Sequence, residues 1–205
     1  MPIELVPWDA RRTGDLGFFA GEDVVEKAIE DAERWGDVQV RAILGAHSLP
    51  VPSHAFLLYS VSQVYESLEG GPELRDASVY EQDASTGRVF LLRPPGSDGA
   101  KAAAVDLAWK RYRDRHYGFL QTGLGFLPVL IGRRLFHRDL PNPFPWGIIC
   151  SELVLRYLLG LRSILSRLGE TQAALDLGWA LSLDPQTADP ALLAACALRG
   201  LPPSF

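Results

Sequence analysis

The sequence predicts an α+β fold, with an antiparallel sheet of about five strands packed against a helix that starts at Cys150 and flanked by helices starting near Asp23 and Asp98. Three observations carry this expectation. Two apolar, strand-like runs, 54–60 and 63–68, are separated only by Val61 and Ser62, which is hairpin spacing. Residues 23–35 and the run after Cys150 have apolar side chains at helical spacing. Residues 88–93 read as a further strand, stopped by proline and glycine and followed by a long helix.

Taken in order, Gly14-Asp15-Leu16-Gly17-Phe18-Phe19 reads as a short strand bounded by glycine. In 23–35, Val24, Val25, Ala28, Ile29, Ala32 and Trp35 form one face, with Glu26, Lys27, Glu30 and Asp31 opposite. Residues 88–93 form a strand stopped by Pro94-Pro95-Gly96. A long helix follows over about 98–116, with Ser97 or Asp98 as N-cap. Pro141, Pro143 and Pro145 force an extended approach to Trp146-Gly147-Ile148-Ile149, so the next helix begins at or just after Cys150. Its buried face is Leu153, Val154, Tyr157, Leu158, Leu161, Ile164, Leu165 and Leu168. Asp184-Pro185 and Asp189-Pro190 punctuate two further helical segments, the second with Asp189 as N-cap and Pro190 at its first position. Trp8, Trp109, Trp146 and Trp179 are each core or groove residues.

No repeat, low-complexity tract or linker divides the 205 residues, and a single domain over 1–205 is expected to bury roughly 70% of its unfolded surface. The two cysteines, Cys150 and Cys196, are too few for a disulfide framework and read as free thiols. Their spacing with His47, His54, His116 and His137 matches no CxxC or HExxH pattern, so no metal or other cofactor is expected. A net charge of -5, from 20 basic and 25 acidic residues, argues against a general nucleic-acid binder. The cluster Lys110, Arg111, Arg113 and Arg115 is interrupted by Asp114 and reads as a solvated helix face. No secretory signal opens the sequence and no transmembrane segment is expected. The longest apolar stretch, 119–131, has about 13 residues and is broken by Gly123, Gly125 and Pro128. A cytoplasmic protein is expected, with delivery outside the cell by a phage particle or secretion system as the variant.

Alternation along 54–60 places His54, Phe56 and Leu58 on one face and Ala55, Leu57 and Tyr59 on the other. Such a strand is central in a sheet, and its histidine is either a satisfied core residue or a positioned base. The partner strand offers Glu66, a carboxylate that is expensive to bury unless paired, and His54 across the hairpin would pair it. A carboxylate on one imidazole nitrogen fixes the tautomer that presents the other nitrogen to a thiol. Glu69 is the fallback for this orienting role or else a solvated loop residue. Cys150 stands after an apolar extended run and before a helix, where unpaired backbone N–H groups favour a thiolate. A free thiol of pKa about 8.5 is only ~3% ionised at pH 7; lowering that value by ~2 units takes about 3 kcal/mol, within reach of an imidazolium and a helix end together. Cys196, within an apolar helical run, reads as packing.

GDLGFF (14–19), SHAFLLY (53–59) with VYES (64–67), RVFLLRPP (88–95), the stretch containing Tyr117, and CSELVLRYL (150–158), in that order, resemble the circularly permuted branch of the NlpC-type papain-like superfamily. The resemblance covers most of 14–195, and in that branch the histidine strand precedes the cysteine helix. It implies a permuted papain-like fold and a cysteine peptidase or amidase, with Cys150 as nucleophile, His54 as general base and acid and Glu66 as orienter. Its substrate would carry an amide, peptide or acyl bond, cell-wall peptide among them, and no metal is involved. Tyr117 stands where relatives often have a tyrosine near the site, and a core aromatic is the other reading. Two features depart from the pattern. Ala55-Phe56 replace a common glycine after the histidine, and 118–145 has no clear counterpart, reading as a lid, an apolar acyl-binding wall or local packing. A lipid-directed acyltransferase or lipase on the same fold, and a catalytically silent structural or interaction protein, are the alternatives.

Overall fold

The computed structural model describes residues 3–21, 38–68, 70–116 and 148–201. The expected helix at 23–35, Glu69, Tyr117, Trp146 and the 118–145 segment lie outside them. The described chain is mixed α/β, with one open antiparallel sheet of six strands and six α-helices. The strands are Glu4–Val6 (β1), Leu16–Phe19 (β2), His54–Leu58 (β3), Gln63–Leu68 (β4), Gly71–Asp76 (β5) and Val89–Arg93 (β6), in the spatial order β1-β6-β2-β3-β4-β5. The helices are Val38–Ala46 (α1), Glu81–Ser85 (α2), Asp98–Tyr112 (α3), Cys150–Arg167 (α4), Thr171–Asp176 (α5) and Pro190–Arg199 (α6).

The expected hairpin is β3–β4, closed by Tyr59 and Ser60 N–H groups on the Gln63 carbonyl at 3.0 and 3.1 Å. Two strands were not legible in advance, and both sit at sheet edges. β1 has three residues, and β5 opens with Gly71-Pro72, which an edge strand tolerates because no neighbour needs that missing N–H. Helix α3 starts at the Ser97 cap as expected but ends at Tyr112, short of His116. The His116 carbonyl instead accepts the Ile148 N–H at 3.0 Å, tying the end of this segment to the approach to Cys150. Asp189 caps α6 through the Leu192 N–H at 2.6 Å, Pro190 occupies the first turn, and Gly200 ends the helix at φ 67°.

The sheet is apolar on both faces. Leu16, Phe18, Ala55, Leu57, Tyr65 and Leu92 point to the helices, meeting Leu153, Val154, Leu158 and Leu161 of α4 and the buried run of α6 that includes Cys196. Phe56, Leu58, Val64, Val89 and Leu91 point the other way, to a smaller cluster closed by Trp8, Ala77 and Tyr80. Trp109 packs edge-on to Tyr65 on the first face, with ring centres 5.2 Å apart, and Trp179 is also buried there. Among the described residues no helix is long and apolar enough to cross a membrane.

The GDLGFF segment holds this frame together. Asp15 is wholly buried and accepts from Arg93 Nε and Nη2 at 2.9 and 2.7 Å and from the Arg12 N–H at 2.8 Å. Gly14 takes φ 84° and its carbonyl accepts the Tyr157 hydroxyl at 2.9 Å, joining β2 to α4. Gly17 stands opposite Phe56, whose ring lies where a side chain on Gly17 would be: an added Cβ would fall 2.0 Å from a ring carbon. Gly17→Ala is therefore expected to cost about 1–3 kcal/mol through overpacking. Gly160→Ala, inside α4 with Leu107 Cδ2 4.0 Å from the new Cβ, should gain up to about 1 kcal/mol. Opposite shifts of the two variants in denaturant midpoint would bear this out, and shifts of the same sign would count against the packing described.

Candidate active site

Strand β3 is anchored at its start by Ser53, whose N–H reaches the Phe19 carbonyl at 2.9 Å and whose hydroxyl accepts the Gly21 N–H at 3.2 Å. His54 follows, paired in register with Phe19. Its Nε2 lies 2.7 Å from Glu66 Oε2 on β4, while the Glu66 side chain has no exposed surface. The same carboxylate oxygen accepts the Tyr80 hydroxyl at 2.6 Å, and the other accepts Arg75 Nη1 at 3.1 Å. With Nε2 engaged by Glu66, the second imidazole nitrogen is left for Cys150, and the two side chains are hydrogen-bonded.

The hairpin parts to admit the cysteine. β3 and β4 pair at Leu57↔Tyr65 and Leu58↔Val64. Continued register would put Ala55 opposite Ser67. Instead the Ala55 N–H donates to the Cys150 sulfur, and the Ser67 hydroxyl donates to the Ile148 carbonyl at 2.7 Å. The start of α4 thus enters between the two strands, which lets a residue of the helical layer reach a histidine whose neighbours Phe56 and Leu58 belong to the opposite face. Ile149 is extended at φ -98° and ψ 168°, and the Ser151 N–H, free at the start of the helix, is the second backbone donor to the sulfur. The next two side chains secure this helix end: Ser151 donates to the Ala188 carbonyl at 2.7 Å, and Glu152 accepts from Arg156 Nε at 2.7 Å.

Burial alone would lower the His54 pKa, but the facing Cys150 sulfur and the hydrogen bonds to Cys150 and Glu66 outweigh it and raise the value from 6.5 to about 10. Burial alone would raise the Cys150 thiol. The His54 imidazolium and the Ala55 and Ser151 N–H groups bring it below its ordinary value. Glu66 follows the same pattern, raised by burial but held below the usual carboxylate range by His54, Tyr80 and Arg75. All three shifts favour the same arrangement, a thiolate–imidazolium pair beside a carboxylate. Its stabilising contributions have opposite pH limits: that of His54 is complete below 6.5 and lost as pH rises through about 10. Those of Cys150 and Glu66 are present above their ordinary 9.0 and 4.5 and fade as pH falls through the lowered values.

Three residues singled out by sequence, Cys150, His54 and Glu66, therefore meet, while Glu69 and Tyr117 fall outside the described residues. Tyr80, Arg75 and the Ala55 N–H were not anticipated. Arg75 lies on the same face of β5 as Glu66 on β4 only because Val64 pairs with Arg75 and Glu66 with Glu73. A cleft of about 370 Å³ between α3 and α4, lined by Arg111, Arg156 and Arg167 among others, contains none of the three. Among the described residues no group of three or more His, Cys, Asp or Glu is placed to share a metal ion.

Cys150, 7% exposed, should react with iodoacetamide well below pH 8, and His54→Ala should move that inflection upward. Cys196, buried at 1% exposure, serves as the internal control and should stay unlabelled in the folded protein. Peptide mass spectrometry across pH reads all three, and equal, slow labelling of both cysteines would contradict the ion pair. Glu66→Ala should cost about 3–5 kcal/mol in denaturant unfolding, because it strips a buried charge from two cationic partners. No protein-family model matches this chain, and no curated protein or solved structure does either, so the chemistry of the site rests on its own geometry.

Proposed function

We propose that the protein is a cysteine hydrolase cleaving an amide or peptide bond through an acyl-enzyme on Cys150. The observation that carries this reading is His54 held between Glu66, at 2.7 Å, and the Cys150 sulfur. A histidine that only satisfied the core would not need a charged partner on each side. The order of His54 before Cys150 and the resemblance to the permuted NlpC-type branch point the same way, with cell-wall peptide as one substrate.

In this reading the Cys150 thiolate attacks the substrate carbonyl carbon, and its electron pair passes to the carbonyl oxygen. The Cys150 N–H, at the start of α4, is a donor for that oxyanion. The intermediate collapses with cleavage of the C–N bond, and the leaving nitrogen takes the proton held by His54. Neutral His54 then removes a proton from water, whose oxygen attacks the thioester. The acid leaves and the thiolate–imidazolium pair returns. Glu66 accepts from Nε2 throughout and keeps the ring oriented.

The test is incubation with muropeptides and with micellar lipid esters, reading amine or fatty-acid release and the mass of intact protein. Release of amine, with an acyl adduct on Cys150 and loss of both in Cys150→Ala, is the expected result. Fatty-acid release instead would move the assignment to a lipid-directed acyltransferase or lipase. No adduct and no difference between wild type and Cys150→Ala would support a non-catalytic role.

A further inference from the structure

We propose that Tyr80 is a positioning residue of this site, its hydroxyl keeping Glu66 ionised and aimed at His54 and so keeping the Cys150 sulfur charged; the inference rests on the hydrolase reading above. Two donors converge on one oxygen: Tyr80 at 2.6 Å and His54 Nε2 at 2.7 Å both reach Glu66 Oε2. The phenol is itself raised well above its ordinary pKa, by burial first and then by the adjacent carboxylate, so it remains a donor throughout the working pH range. A carboxylate that accepts such a donor at a wholly buried position is favoured in its charged form.

The hydroxyl is held in place by the ring that carries it. Tyr80 stacks on Phe56 at 4.3 Å and 10°, with Phe19 and Trp8 edge-on at 5.5 and 6.5 Å. Phe56 in turn occupies the space left by Gly17, so the position of the phenol is set from β2 and β3 through packed rings. The other groups facing Glu66 are His54 from β3 and, from β5, Arg75, whose guanidinium also lies 3.9 Å from Glu73; Cys150 stands beyond His54. The Arg75 side chain is 37% exposed, so solvent screens its charge, whereas Tyr80 is 6% exposed. The buried donor carries more of the orientation than the exposed cation does.

Tyr80→Phe keeps the ring and removes only the hydroxyl. The expected result is an upward shift of the Cys150 alkylation inflection by about half a unit to one unit, that is, about three- to tenfold slower labelling at a pH below it. In a Glu66→Gln background the same substitution should add nothing, since the carboxylate it acts through is gone. A lowered Tm with an unchanged profile would overturn the proposal and leave Tyr80 as packing. If the wild-type inflection itself is not depressed, the hydrolase reading fails along with it, so the two failures are distinguishable. Should Tyr80→Phe not fold, Phe56→Leu carries the test, because it loosens the stack while retaining the hydroxyl. A smaller shift in the same direction is expected, and none would overturn the proposal.

Discussion

Glu66 has no exposed surface, and a carboxylate removed from water is tolerated only if donors surround it. The site is arranged around that requirement. Three donors from three different elements reach its two oxygens: His54 on β3, Arg75 on β5 and Tyr80 on the short helical turn Ala77–Tyr80. With Cys150 beyond His54, charges alternate from sulfur to imidazolium to carboxylate to guanidinium. Each neutralises its neighbours, which favours the thiolate at a site where burial alone would favour the thiol.

The backbone follows from the same need. His54 and Glu66 share strands with Phe56 and Val64, whose side chains point away from the helices, whereas Cys150 begins a helix on the opposite layer. The two can meet only if the sheet opens between β3 and β4. It does so at the cost of ladder hydrogen bonds: the Ala55 N–H turns to the sulfur, and beside it the Ser67 side-chain hydroxyl donates to the Ile148 carbonyl. Behind this opening, Ser53 holds the start of β3 against β2, while Ser151 and the Tyr157–Gly14 bond hold α4 in place. The serines beside the histidine and the cysteine are thus structural partners of the groups they adjoin.

Much of this was legible from local pattern. Two residues between apolar runs indicated the β3–β4 hairpin, Asp189-Pro190 marked a helix start, and the helix expected at or just after Cys150 begins there, with Ile149 extended before it. The pairing of His54 with Glu66 was legible because a charged residue in an apolar run demands a partner. What stayed hidden depends on register and on tertiary context. Arg75 reaches Glu66 only through the pairing of β5, a strand disguised by Gly71-Pro72. Tyr80 arrives on a turn capped by Asp76, too short to show a period. The Ala55 N–H is a backbone group, identical in every sequence, and its role exists only because the strands part.

Nucleophile, base and orienting carboxylate all depend on the charged state of the His54–Cys150 pair. Nitrogen-15 NMR of the His54 ring through a pH titration measures it directly. The imidazolium should persist well above pH 8 in the wild type, and its midpoint should fall by at least about one unit in Cys150→Ala, where the facing charge is gone. A His54 that titrates near 6.5 in both proteins would contradict the ion pair and with it the nucleophile.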